Sequence, residues 1–338
     1  MIHGVHKALG RGAMWAAAGA AALGLAACEK KQPAAPAGDA GATPAQSALV
    51  VGFSQIGAES AWRTAETESI KAEAARRGVE LKFSDAQGDQ ENQVRALRTF
   101  VQQKVDYIVL APKTEDGWQQ SLEDAKKAGI PVILVDRRVK TTDESLYATF
   151  IGSDFVEEGR RAAAWLAEKT GGKALIAELQ GTPGAGPAID RKKGFEEGIA
   201  RFPEMKLIKS QSGNFERAKG KEVFEAFLRS PEGGSITALY AHNDDMALGA
   251  IQAIEAAGKK PGSDIIIVSV DGVKDAFQAI LDGKLNCTVE CSPLLGPAVF
   301  DVIEMLQKGE SVPKWVQTEE GVFAEGQVTA EVVAGRQY

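Results

Sequence analysis

An α/β architecture, two doubly wound parallel-sheet lobes in one chain, is what this 338-residue sequence predicts, and three observations predict it. Strand-like and helix-like patterns alternate from residue 48 onward with little interruption, as a mainly parallel sheet covered by helices on both faces requires. The pattern restarts after residues 147–152, so two similar lobes are expected, without a close sequence repeat linking them. Polar and charged residues then follow the apolar strands at their carboxyl ends, where open parallel sheets bind ligands.

The first series begins with β-rich residues 50–54, a helical pattern over 59–77 that stops at Gly78, and a strand over 79–84. Val94, Leu97 and Val101 keep helical spacing within 89–103. A strand over 107–111, a helix over 118–128 and, after Gly129-Ile130-Pro131, the apolar strand 132–135 follow. The second series runs helix 154–170, strand 174–179, helix 188–201, strand 207–210, helix 216–229, strand 238–240, helix 244–257 and strand 265–270.

Ahead of both series, residues 1–27 read as a signal peptide. Lys7 and Arg11 give it a positive start, and 14–27 form an apolar stretch too short to span a bilayer as a mature helix. Leu25-Ala26-Ala27-Cys28 resembles a lipobox, which makes Cys28 the lipidated first residue of the mature chain. The alternative is an N-terminal helix that stays attached; a single-span anchor would leave the body in the same compartment. Residues 28–47, almost wholly Ala, Pro, Gly, Lys, Gln and Thr, cannot bury enough apolar surface to fold and read as a flexible tether. The expected location is the periplasm, outside the cytoplasm, with the body held to a membrane through its lipid alone.

Composition narrows the chemistry. The net charge is −7, and loss of residues 1–27 removes Lys7 and Arg11 and makes the mature chain more acidic, which argues against nucleic acid and anionic lipid as partners. His3 and His6 leave with the signal segment, so a catalytic dyad or metal site would have to use His242; no metal and no cofactor is expected. Cys287 and Cys291 lie in an alternating, strand-like stretch. At roughly 3.3 Å per residue their Cα atoms would be about 13 Å apart, beyond the roughly 7 Å limit for a bridge. They read as free thiols on one side of that strand.

At the strand ends lie Ser54, followed by Glu59, Trp62 and Arg63; Asp136-Arg137; Gln180; Asn243; and Asp271. Carboxylates accept hydrogen bonds from hydroxyls, guanidinium groups donate through a rigid fork, and carboxamides do both. Asp136, Arg137, Arg191, Asn243 and Asp271 supply that mixture, and Trp62 and Phe215 offer flat apolar faces for the C–H side of a sugar ring. Taken singly, Asp136-Arg137 is more often a surface ion pair or a turn and Phe215 more often core, while Trp62 at a helix start divides evenly between packing and contact. The turn Gly181-Thr182-Pro183-Gly184-Ala185-Gly186 follows a strand and precedes a helix, yet it lacks the Lys-Ser/Thr of a P-loop and the Rossmann spacing.

Val51-Gly52-Phe53-Ser54, the strand ending in Asp136-Arg137, Asp190-Arg191-Lys192-Lys193-Gly194-Phe195, His242-Asn243-Asp244-Asp245-Met246-Ala247 and Val270-Asp271-Gly272 together resemble the type I periplasmic sugar-binding proteins of the ribose and galactose group. Within that group, Glu59-Ser60-Ala61-Trp62-Arg63, Glu91-Asn92-Gln93, Glu178-Leu179-Gln180-Gly181-Thr182 and Ser210-Gln211-Ser212-Gly213 are most similar to the galactofuranose-binding members that serve bacterial ABC importers. The resemblance implies two lobes joined by a three-segment hinge, with crossings near Ser153-Asp154, Cys291-Ser292 and Gly321. The N-terminal lobe would take 48–154 and 292–320, the C-terminal lobe 155–291 and 321–338. It further implies a monosaccharide, galactofuranose-type, bound by Ser54, Glu59, Trp62, Arg63, Asp136 and Arg137 from one lobe and Arg191, Phe215, Asn243 and Asp271 from the other. Arg191 and Asp136 would be the main contacts from opposite lobes. Delivery to an ABC permease and its ATPase by a monomer follows. Where ribose-binding relatives place a glutamine just before the Pro293 region, this chain has Cys291, so a ribose-type contact is missing.

Three rivals remain at this point. The same body could hand its loaded form to a chemoreceptor or sensor kinase. A sugar-responsive transcription regulator shares the core fold, but the chain shows no DNA-binding headpiece before residue 48. An extracytoplasmic hydrolase would use Glu59 and Asp136 as its carboxylates.

Overall fold

A computed structural model describes residues 48–338, and the expectations for the signal peptide, Cys28 and the tether fall outside the described residues. The first βα series builds a sheet from β1 (Val50–Gln55), β2 (Glu80–Asp85), β3 (Tyr107–Leu110), β4 (Val132–Val135) and β5 (Thr149–Gly152). The second builds another from β6 (Lys173–Gln180), β7 (Glu204–Ser212), β8 (Ala238–Ala241), β9 (Ile266–Asp271) and β10 (Cys287–Glu290). Each sheet gains a sixth strand from the C-terminal part of the chain, β11 (Trp315–Gln317) beside β5 and β12 (Val322–Ala324) beside β10. The orders are β11-β5-β4-β3-β1-β2 and β12-β10-β9-β8-β6-β7, parallel throughout except for β12. Both orders reverse beside the first strand of the series, the switch point that opens a crevice at the strands' carboxyl ends.

Alternation along the strands shows why both faces are covered. In β3 and β4, Ile108, Leu110, Val132 and Leu134 enter one core cluster, while Tyr107, Val109, Ile133 and Val135 enter the other. Helix α1 (Ala61–Arg76) and helix α9 (Gly296–Gln307) cover the second of these faces, with Ile70, Val299 and Phe300 buried there. Helices α2 (Gln90–Gln102) and α3 (Gln119–Lys127) cover the other through Leu97, Phe100 and Leu122. Around the second sheet pack α4 (Phe155–Thr170), α5 (Gly186–Ile199), α6 (Arg217–Arg229), α7 (Asp244–Ala256) and α8 (Lys274–Leu281), with α10 (Ala330–Gly335) against α8. Strand β7 exceeds its expected span at both ends, because polar Glu204, Lys206 and Gln211 on an exposed sheet edge dilute the apolar signal.

The chain passes between the sheets at three places, after β5, after β10 and between β11 and β12. One cluster ties all three. Ser153 Oγ donates to Glu320 Oε1 at 2.5 Å and lies 3.3 Å from Cys291 Sγ. The same carboxylate oxygen accepts from Thr318 Oγ1 at 2.7 Å and Ser292 N at 3.1 Å. Cys287 and Cys291 are both buried free thiols.

Candidate functional site

Between the carboxyl ends of the two sheets lies a narrow cavity, with about 280 Å³ of empty space when the solvent at its mouth is included. Its wall brings together nine of the ten residues expected from the sequence: Glu59, Trp62, Arg63, Asp136 and Arg137 from the first series, Arg191, Phe215, Asn243 and Asp271 from the second. Ser54 is the exception. It is fully buried near the end of β1, in register with Ser84 and Leu110, one step short of the loop that reaches the cavity. Ser60, Pro187 and Cys291 complete the wall.

Ser60 caps helix α1, its side chain accepting from Arg63 N at 3.1 Å, so Glu59, Trp62 and Arg63 all lie in the first turn or just ahead of it. Arg63, 3% exposed, is held by three carboxylates: Glu59 Oε1 at 3.2 Å, Glu66 Oε2 at 2.5 Å and Asp136 Oδ2 at 2.5 Å. Arg137 Nη2 shares Glu59 Oε1 at 3.1 Å and Nη1 donates to the Lys113 carbonyl. Trp62 Nε1 donates to the Cys291 carbonyl at 2.6 Å, which fixes its ring edge against the segment after β10. Asp136 has φ 59° and Asp271 φ 125°. Such left-handed backbone in a residue bearing a β-carbon is strained and gathers at functional sites. Each sheet thus aims one aspartate into the cavity from a bent strand end.

On the opposite wall, Arg191 Nε donates to Glu158 Oε2 at 2.7 Å and Nη1 to the His242 carbonyl at 2.6 Å, while Nη2 lies 3.6 Å from Asp271 Oδ1. Asn243 caps α7 by accepting from Met246 N at 3.0 Å, and its amide donates to the Phe215 carbonyl at 3.1 Å. The Arg137 guanidinium lies 5.4 Å from the centre of the Phe215 ring, a contact across the cleft. Ala61 N, at the start of α1, donates across it to Asp245 Oδ2 at 2.7 Å, and Glu115 N to the Gly184 carbonyl at 3.0 Å. The two lobes are closed on each other. His242 is buried beside Glu178 Oε1 at 3.1 Å and accepts from Gly181 N, so it serves the fold of the second lobe.

Two buried atoms of this wall lack any hydrogen-bond partner, Glu59 Oε2 and Arg137 Nε; the latter lies 3.4 Å from Asp136 without hydrogen-bond geometry. An acceptor and a donor left over on residues that line the cavity are unspent hydrogen-bonding capacity. Burial alone would raise the Glu59 carboxyl, but Arg63 and Arg137 hold it below its ordinary value, which suits an acceptor and not a general acid. Burial pushes Glu66 up to about 7 against the pull of Arg63. It pushes Glu158 up to about 8 against Arg191, with Glu320 adding repulsion, and raises Asp271 well above the usual range.

These shifts set a pH dependence. Glu66 and Glu158 hold protons more tightly folded than unfolded, so their contribution is fully present below their unfolded value of 4.5 and is lost as pH rises through about 7 and about 8. Burial lowers the His242 pKa, so its contribution is present above 6.5 and fades as pH falls, opposing part of that slope. Urea unfolding of the unliganded protein is expected to show declining stability between about pH 5 and about pH 8.5, less steeply in Glu158→Gln. Identical profiles for the two proteins would mean that Glu158 is ionised throughout.

The comparisons agree with this geometry. Residues 51–311 match the family model described as a periplasmic binding protein domain. The galactofuranose-binding protein YtfQ of Escherichia coli (strain K12) is 50% identical over 268 residues, 79% of this chain and 84% of that protein. The solved binding protein of the arabinose ABC transporter from Shewanella sp. ANA-3, bound to alpha and beta-L-arabinofuranose, aligns with TM-score 0.83 at 53% identity over 85% of this chain and 96% of its own. A Mycobacterium smegmatis structure in complex with beta-D-fucofuranose aligns with TM-score 0.81 at 54% identity over 83% and 93%. The chain therefore belongs to the type I periplasmic sugar-binding protein family, whose members bind solutes outside the cytoplasm and are not enzymes.

Proposed function

We propose that this protein captures a monosaccharide in its five-membered-ring form, galactofuranose or a close relative, and delivers it to an ABC permease and its ATPase. The observation that carries the reading is the pair of buried polar atoms without a hydrogen-bond partner, Glu59 Oε2 and Arg137 Nε, on residues that line the cleft cavity together with Phe215. The furanose sugars held by the Shewanella and Mycobacterium relatives support the ring form. Glu59, Trp62, Arg63, Asp136, Arg137, Arg191, Phe215, Asn243 and Asp271 are the proposed contacts; Ser54 lies behind them. Lipid attachment at Cys28, after cleavage of residues 1–27, is proposed from Leu25-Ala26-Ala27-Cys28 and the tether composition. It predicts palmitate labelling that Cys28→Ala removes.

Thermal unfolding against galactose, arabinose, ribose, glucose, xylose and allose tests the sugar class. A ligand at about a hundred times its dissociation constant adds roughly 2.7 kcal/mol, so a clear upward shift with galactose or arabinose is expected. No shift with any of them would contradict the ligand class while leaving the fold intact.

A further inference from the structure

The Phe215 ring reaches the cavity from an uncommon backbone. Asn214 and Phe215 both take positive φ, 57° and 66°, a region where a bulky residue is strained and needs its surroundings to hold it. The turn is held from three directions. Ser212 Oγ accepts from Asn214 N at 3.1 Å and donates to the Gly181 carbonyl at 2.7 Å. Thr182 Oγ1 donates to the Asn214 carbonyl at 3.2 Å, and the Asn243 amide donates to that of Phe215 at 3.1 Å.

With its backbone so fixed, the ring lies on the bare Cα of Gly181. A Cβ at that position would overlap Cζ, Cε1 and Cε2 of Phe215. Gly181 is not among the residues with positive φ, so its backbone conformation does not call for glycine. Space for the ring is what does.

We propose that Gly181 is a specificity-determining residue that sets the depth of the sugar cavity by letting the Phe215 ring rest directly on the backbone. The inference rests on the sugar-binding reading above. A side chain at position 181 must lift the ring off the backbone and into the cavity it lines, and close-packed walls feel a change of one methyl group. Larger sugars lose room first.

Calorimetry with D-galactose and with L-arabinose, one carbon shorter, tests this in wild type, Gly181→Ala, Phe215→Leu and the double variant. Gly181→Ala should weaken galactose binding by about tenfold or more and arabinose binding less, the scale of one methylene in a pocket. In the Phe215→Leu background the same change should alter neither affinity by more than about twofold, because the coupled partner is gone. An unchanged galactose-to-arabinose ratio, or an equal loss in the Phe215→Leu background, overturns the proposal. Should Gly181→Ala alone fail to fold, a folded double variant supports it and an unfolded one counts against it. Wild type binding neither sugar overturns the functional reading and this inference with it, whereas wild-type binding with an unmoved ratio sinks this inference alone.

Discussion

Arg191→Ala is expected to weaken sugar binding at least tenfold, about 1.4 kcal/mol or more, and to lower folding stability by about 3–5 kcal/mol. The two losses have separate origins. The guanidinium lines the cavity from the second lobe, opposite Asp136, so its removal takes away donors that a bound sugar would meet. It is also 97% buried and bonded to Glu158 and the His242 carbonyl, with Asp271 3.6 Å away. Without it, both carboxyls lose their buried counter-charge and the carbonyl loses a donor. Urea unfolding reads the second effect and calorimetry on the folded fraction the first. An unchanged affinity would remove Arg191 from the site.

Arg63→Met should be comparably severe, about 3–5 kcal/mol, because it leaves Glu59, Glu66 and Asp136 crowded around Arg137 alone. The methionine keeps the apolar stem and fills much of the volume, so the loss reports charge and not a cavity. Glu59 would then titrate at a higher pH than in wild type, since Arg63 is the larger of the two charges holding it down. Sugar affinity should fall as well, and most at high pH, where repulsion among the carboxylates is strongest. A stability loss under about 1 kcal/mol would show that the cluster is solvated like a surface pair.

Much of this is legible in the sequence alone. Continuous apolar runs such as Val132-Ile133-Leu134-Val135 mark strands buried on both faces, and the residues directly after them reach the cavity because parallel strands all end on the same side. Glu59 and Glu66 sit at i−4 and i+3 from Arg63, a spacing that puts both beside it on one helix face. The sequence alone does not single out Glu66, since an acid within a helix reads as a solvated one. Glu158 left no sequence signal at all: its partner Arg191 lies 33 residues away on another helix, and only tertiary packing joins them. The three-residue strands β11 and β12 are too short to show a period, and a phenylalanine gives no local sign of the positive φ that Phe215 adopts. Ser54 failed as a wall residue for a related reason, because strand-end position fixes depth only to within a residue or two.

Ring form is the most direct test of the account. Galactose labelled with ¹³C at its anomeric carbon, added to the protein and observed by NMR, should show bound signals at furanose positions although the pyranose predominates in solution. Bound pyranose signals, or no bound signal at concentrations that saturate a sugar-binding protein, would contradict a cavity shaped by Phe215, Arg137 and Arg191 for a five-membered ring.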